Sequence, residues 1–182
     1  MTERTIQNGL FGHLSQKGYL LSCPNYTPAK RFECDLFAVT KANRFVEFEI
    51  KVSRSDFKAD AKKGPDARQK RLMETLPEGS RLRSGFHPSS KHDRLALADT
   101  NGPSRFFYVV PEDLVAADEI PEWAGLMHAR MHGQWMLFRE AKKAPKLHNQ
   151  PVEPRVVQHM ASVMYWRFWN LRRGIKETEL PS

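Results

Sequence analysis

Between Arg44 and Ser53 the chain reads R-F-V-E-F-E-I-K-V-S, with Glu47, Glu49 and Lys51 at every second position and Phe48, Ile50 and Val52 between or after them. A period of two is the signature of a β-strand, whose successive side chains leave opposite faces of the sheet. The apolar set asks for a core on one side. Two acids and an ammonium are then left together on the other. Upstream, residues 31 to 40 (R-F-E-C-D-L-F-A-V-T) alternate in a similar way and put Glu33 and Asp35 on one face. The K-A-N at 41 to 43 reads as a hairpin turn, and pairing of the two strands makes their polar faces converge.

The rest of the chain reads as elements around that hairpin. Residues 3 to 17 carry Ile6, Leu10, Phe11 and Leu14 at helical spacing and close on Lys17-Gly18. The next segment, Y-L-L-S-C-P, is a short strand or an extended link, which P-N-Y-T-P interrupts with turn chemistry. Ser53 or Ser55 can cap a helix starting near Asp56 and ending at Gly64-Pro65. A charged stretch follows to residue 94, with a helix expected at 67 to 76 and a Gly/Ser/Pro loop. From Ser104, R-F-F-Y-V-V-P-E-D reads as a strand buried on both faces and stopped by Pro111. Two shorter strands, 126 to 131 and 134 to 139, meet at His132-Gly133. A final helix is expected from about 153 to 174.

Carboxylates crowded on one sheet face repel, and a hard divalent cation taking oxygen ligands relieves that repulsion. Magnesium is the natural guest. The set suits phosphodiester hydrolysis: Asp35 and Glu49 as metal ligands, the Ile50 backbone carbonyl as a third, and Lys51 positioning the attacking water and stabilising charge at phosphorus. Alternation alone favours a second reading, in which Glu33, Glu47, Glu49 and Lys51 form the solvated face of an antiparallel sheet with cross-strand ion pairs.

Asp35, thirteen intervening residues and then Glu49-Ile50-Lys51 resemble the PD-(D/E)XK nuclease superfamily, where an acid on one strand precedes an acid-x-lysine on the next. A longer set is more specific: E-F-E-I-K-V-S-R-S-D-F at 47 to 57, K-H-D-R-L at 91 to 95, R-F-F-Y-V-V-P-E-D-L at 105 to 114, I-P-E-W-A-G-L at 120 to 126 and K-K-A-P-K-L-H at 142 to 148. Together they look like the MmcB-like DNA-repair family and related phage-encoded proteins, over about residues 31 to 148. The resemblance implies an α/β (α+β) fold with a restriction-endonuclease-like core, a mixed central sheet flanked by helices and an acidic cleft. It further implies a DNA endonuclease dependent on Mg2+ or Mn2+ and acting in repair, recombination or phage DNA processing. Cys34-Asp35 stands where the superfamily has Pro-Asp, which keeps the ligand. Some superfamily members recruit a glutamate from the first helix, and Glu3 is the candidate here. Ser53, Arg54, Ser55, Lys91 and His92 are candidates for phosphate contacts. Residues 64 to 90 read as an insertion able to lie over the cleft. The organisation expected is a nuclease-like domain at 1 to 150 and a C-terminal helical extension at 151 to 182.

A formal net charge of +8 over 182 residues favours a polyanionic partner such as DNA. The alternative to an enzyme is a non-catalytic nucleic-acid-binding protein on the same fold. Two cysteines, Cys23 and Cys34, lack the spacing of a zinc site or disulfide framework and suit a reducing cytoplasm. The sequence shows neither a signal-peptide core nor a run of about 20 apolar residues that would span a membrane. In the final helix, Val157, Met160, Ala161, Met164, Phe168 and Leu171 make a stripe expected to pack on the core. A second face carries Tyr165, Trp166, Trp169, Arg172 and Arg173. That face suits stacking on unpaired bases, burial against the domain, or contact with a protein partner such as a second copy in a homodimer.

Overall fold

The expected hairpin forms. In the computed structural model, which describes residues 1–28, 32–60 and 90–175, β2 (Cys34–Val39) pairs antiparallel with β3 (Phe45–Ile50), in register from Val39 opposite Phe45 to Leu36 opposite Phe48. Asn43, at φ 54°, takes the left-handed turn position that asparagine tolerates. Around this pair the sheet has six strands in the order β1-β2-β3-β4-β5-β6. The edge strand β1 (Leu21–Tyr26) is antiparallel to β2. β4 (Arg105–Pro111) and β5 (Gly125–His132) run parallel to β3 and to each other, and β6 (Trp135–Lys142) returns antiparallel. The fold is therefore mixed α/β, with helices on both faces of one mixed sheet.

One face is apolar. Helix α1 (Glu3–Gln16), capped by the Thr2 hydroxyl on the Thr5 N–H, lays Ile6, Leu10 and Leu14 on Leu36, Val46, Phe48 and Ile50. On the other face sit α2 (Arg54–Asp60) and α3 (Lys91–Ala96), which meet Glu47, Glu49 and Lys51 through Asp60 and Lys91, and α4 (Pro154–Arg172), whose Val156 and Met160 pack with Tyr26, Phe37 and Phe45. Those three side chains are each 4% exposed, so the solvated-face alternative fails: helices cover the polar side of β3. β4 is buried on both faces, as its run of aromatic and β-branched residues implies. Both cysteines are buried and free.

Three expectations change. β1 continues through Pro24 to Tyr26 where a turn was expected; an edge strand tolerates proline because its outward side has no ladder partner. β5 and β6 extend further than expected, to eight residues each. The buried face of α4 is only partly the one expected, Met160 and Val157 packing on the core as foreseen. It follows Val156, Met160, Val163 and Arg167, while Met164, Phe168 and Leu171 are exposed. Tyr26 and His159 set that rotation, the phenol donating to the Val156 carbonyl at 3.1 Å and meeting His159 Nδ1 at 2.8 Å. The helix expected at 67 to 76, its Gly64-Pro65 boundary, most of the 64 to 90 insertion and residues 176 to 182 lie outside the described residues. Among the described residues no helix is long and apolar enough to cross a membrane.

The register of α4 is directly measurable. Met160→Ala costs about 2–5 kcal/mol, the range for a truncated core side chain, whereas Leu171→Ala stays within about 0.5 kcal/mol. Urea unfolding of the two variants reads the difference.

Candidate functional site

Antiparallel pairing sets the start of β2 beside the end of β3. There Asp35 Oδ2 accepts the Ile50 N–H at 2.6 Å, which places its carboxyl next to Glu49 and Lys51. Lys51 Nζ donates to Glu49 Oε1 at 2.8 Å and stands 3.6 Å from Asp60 Oδ1. A second ammonium enters from α3. Lys91 Nζ donates to Glu49 Oε2 at 2.6 Å and to the Glu33 carbonyl at 3.3 Å, and it contacts Glu47 Oε1 at 2.5 Å as an ion pair poorly aligned for hydrogen bonding. Asp60 Oδ2 meets His92 Nε2 at 3.0 Å and the Tyr108 hydroxyl at 3.1 Å. Trp123 packs on the His92 ring with centroids 5.3 Å apart.

Local sequence explains how each group is delivered. The Ser53 hydroxyl accepts the Asp56 N–H and starts α2, which carries Asp60. Ser90 and Asp93 form a reciprocal capping box that starts α3, so Lys91 and His92 fall in its first turn and point into the sheet.

Burial sets the electrostatics, and the partners decide the sign. Desolvation pushes Asp35 up to about 7, with the Glu49 charge adding to it; the Ile50 N–H and Lys51 only partly oppose this, and Glu3 adds a smaller push. Glu47 is also raised by burial, incompletely offset by Lys91. Burial would raise Glu49 too, but Lys91 and Lys51 outweigh it and hold that carboxyl below its ordinary value. Lys51 and Lys91 would be lowered by burial; instead Glu49 holds Lys51 up, and Glu47 and Glu49 hold Lys91 well up. Both lysines are therefore charged near neutral pH. Neither is a free amine able to act as a base, which leaves them hydrogen-bond donation and charge stabilisation.

Asp35, Glu49 and Lys51 are brought together as expected, and Ile50 joins them through its amide N–H. Glu3 opens α1 in exposed surroundings, close enough for its charge to be felt at Asp35. Most of the expected phosphate contacts are otherwise engaged. Arg54 makes a two-pronged pair with Glu119 and donates to the Leu114 carbonyl at 2.9 Å. Ser53 is a helix cap, and Ser55 is hydrogen-bonded to it at 2.9 Å. Lys91 and His92 turn inward to the acids. Asp60 and Tyr108 belong to the cluster although the pattern of the strands did not single them out. Asp56 and Asp60 do share a helix face at i, i+4 spacing, and Tyr108 shares strand parity with Phe106; those were the available signals.

No protein-family profile matches the sequence, and no curated protein matches it. A solved protein of unknown function from Silicibacter pomeroyi is similar in structure, with a TM-score of 0.57 and 21% identity over 90% of this chain and 86% of that one. The likeness is one of fold alone. Among the described residues no group of three or more His, Cys, Asp or Glu side chains is gathered as a metal-binding set.

Two outcomes test the charge assignment. A carboxyl raised in the folded state stabilises fully below its unfolded value near 3.8, and that contribution is lost as pH rises through about 7. Asp35→Asn should therefore stabilise the protein at pH 8 by about 1–2 kcal/mol, partial exposure limiting the gain, with the gap closing towards pH 5 in urea unfolding. Lys91→Met leaves Glu47 and Glu49 short of a counter-charge and costs about 3–5 kcal/mol at pH 8. Part of that loss returns on acidification as the carboxyls take up protons.

Proposed function

We propose that the protein is a metal-dependent DNA endonuclease on a restriction-endonuclease-like core. The observation that carries this is the convergence of Asp35, Glu49 and Lys51, with Asp35 left as a half-buried carboxyl that no cation among the described residues pairs with directly. Three carboxylates at the centre of the cluster, Asp35, Glu47 and Glu49, face two ammoniums, Lys51 and Lys91. The element order also supports the core: a helix, an antiparallel three-strand unit, helices, then a strand parallel to β3.

The donors fit a hard divalent ion in chemistry, since Asp35, Glu49 and the Ile50 carbonyl offer only oxygen. Both Glu49 oxygens, however, already accept from a lysine, so a cation at Glu49 must displace one ammonium or share an oxygen with it. When bound, Mg2+ or Mn2+ supplies Lewis-acid polarisation of the phosphate and a more acidic water. The chain's own part is electrostatic. Lys51 donates to and orients a water or phosphate oxygen and opposes charge developing at phosphorus, and Lys91, once released from Glu49, is a second cation for the same purpose. The net charge of +8 draws the polyanion to the surface.

Cleavage of supercoiled plasmid by the full chain with Mg2+ or Mn2+ tests the reading. The expected result is nicking abolished by chelator, and a loss of about 100-fold or more in Asp35→Asn and in Lys51→Gln, with melting curves showing that both variants fold. Undiminished cleavage in either variant would falsify the role given to that residue. The pairing of both Glu49 oxygens favours one other reading, a nucleic-acid-binding protein without catalysis. It predicts no nicking, together with DNA affinity that falls with salt and is indifferent to chelator.

A further inference from the structure

We propose that the second half of α4 is a stacking surface for an unpaired nucleic-acid strand. This rests on the reading of the protein as one that acts on DNA, and it adds a strand type that the acidic cluster does not specify.

Six large apolar side chains are 40–58% exposed within two turns: Met164, Tyr165, Trp166, Phe168, Trp169 and Leu171. None is needed by the core, which α4 serves through Val156 and Met160. The rings form one connected group. Tyr165 meets Trp166 with centroids 5.5 Å apart at 78°, and Phe168 meets Trp169 at 5.5 Å and 74°. The Arg172 guanidinium lies 5.9 Å from the Phe168 centroid and 5.8 Å from that of Trp169. Edge-to-face pairs keep the rings from stacking flat on each other, which leaves ring faces for a planar guest.

Charge selects the guest. From Pro154 to Ile175 the chain has no acid, and it carries Arg155, Arg167, Arg172 and Arg173. A second copy laid on this surface would bring a helix with only positive formal charges against another of the same kind. An unpaired strand offers both complements, bases for the rings and phosphates for the arginines, whereas a duplex keeps its base faces stacked internally.

Position links the surface to the cluster. Val152 N–H donates to the Asn43 carbonyl at 2.9 Å, so α4 approaches at the hairpin-turn end of the sheet. It then runs along the sheet until Arg167 donates to the carbonyls of Pro24 and Asn25. Asn25 Oδ1 accepts from the Gln7 amide at 3.0 Å, and the same amide donates to the Asp35 carbonyl at 2.5 Å. The aromatic half of the helix is thereby anchored at the end of the sheet that holds Asp35.

The test uses the full chain, a fluorescein-labelled 20-nucleotide oligo-dT and a mixed-sequence duplex of equal length, read by anisotropy and by tryptophan fluorescence. The expected result is quenching by oligo-dT and about tenfold or greater weakening of oligo-dT binding in Trp166→Ala/Trp169→Ala, with a smaller change for the duplex and an unchanged melting temperature. Unchanged oligo-dT affinity in the double variant overturns the proposal. So does a concentration-dependent dimer in sedimentation equilibrium that the same substitutions dissolve, which would make the surface a copy interface. Plasmid nicking reports separately on the endonuclease reading: nicking with oligo-dT affinity unchanged in the double variant defeats only the stacking surface, and stacking without nicking defeats only the nuclease.

Discussion

The polar face of β3 is buried, and most of the structure on that side of the sheet answers to it. Glu47, Glu49 and Lys51 are almost wholly withdrawn from water beneath α2 and α3, and an unpaired charge there would be costly. Each neighbouring element consequently brings a polar group. β2 contributes Asp35, α2 carries Asp60, α3 begins on Lys91 and His92, and β4 adds the Tyr108 hydroxyl. Apolar residues in the same volume would stabilise the fold as well or better, since burying an ion pair returns little net free energy. A buried cluster with several displaced pKa values is the arrangement expected where chemistry or ligand binding is served.

Charge within the cluster is unevenly shared. Glu49 holds two ammoniums and is the acid whose carboxyl is pushed down, while Asp35, one strand away, receives among the described residues only a backbone N–H and is pushed up. The two acids at the candidate centre thus differ in proton affinity although both sit at the same end of one hairpin. Lysine partners, rather than depth, make the difference, because Glu49 is the more deeply buried of the two.

Much of this was visible in the residues. The alternation at 44 to 53 places Phe48 and Ile50 against Glu47, Glu49 and Lys51, and the K-A-N turn closes the hairpin that sets Asp35 beside Ile50. Less visible was the use of Lys91 and His92. Their place after Ser90 marks a helix start, but only packing shows that the first turn of α3 faces the sheet, where Lys91 meets Glu47 and Glu49 and His92 meets Asp60. The pairing of Arg54 was hidden for a similar reason: its partner Glu119 is distant in sequence and meets it only after the chain has folded back.

The amino-acid order by itself determined where strands and helices begin and which side chains share a face, since backbone period and capping are local properties. Tertiary structure decided what covers each face. A period of two divides β3 into an apolar and a polar side without saying whether water or helices lie over the latter. A period near 3.6 likewise offers several apolar stripes on α4, and the contacts of Tyr26, His159 and Arg167 choose the one that is buried. Burial changes the meaning of the same residues: two glutamates and a lysine that would be solvated at a surface become, beneath α2 and α3, a charge cluster whose members determine one another's protonation.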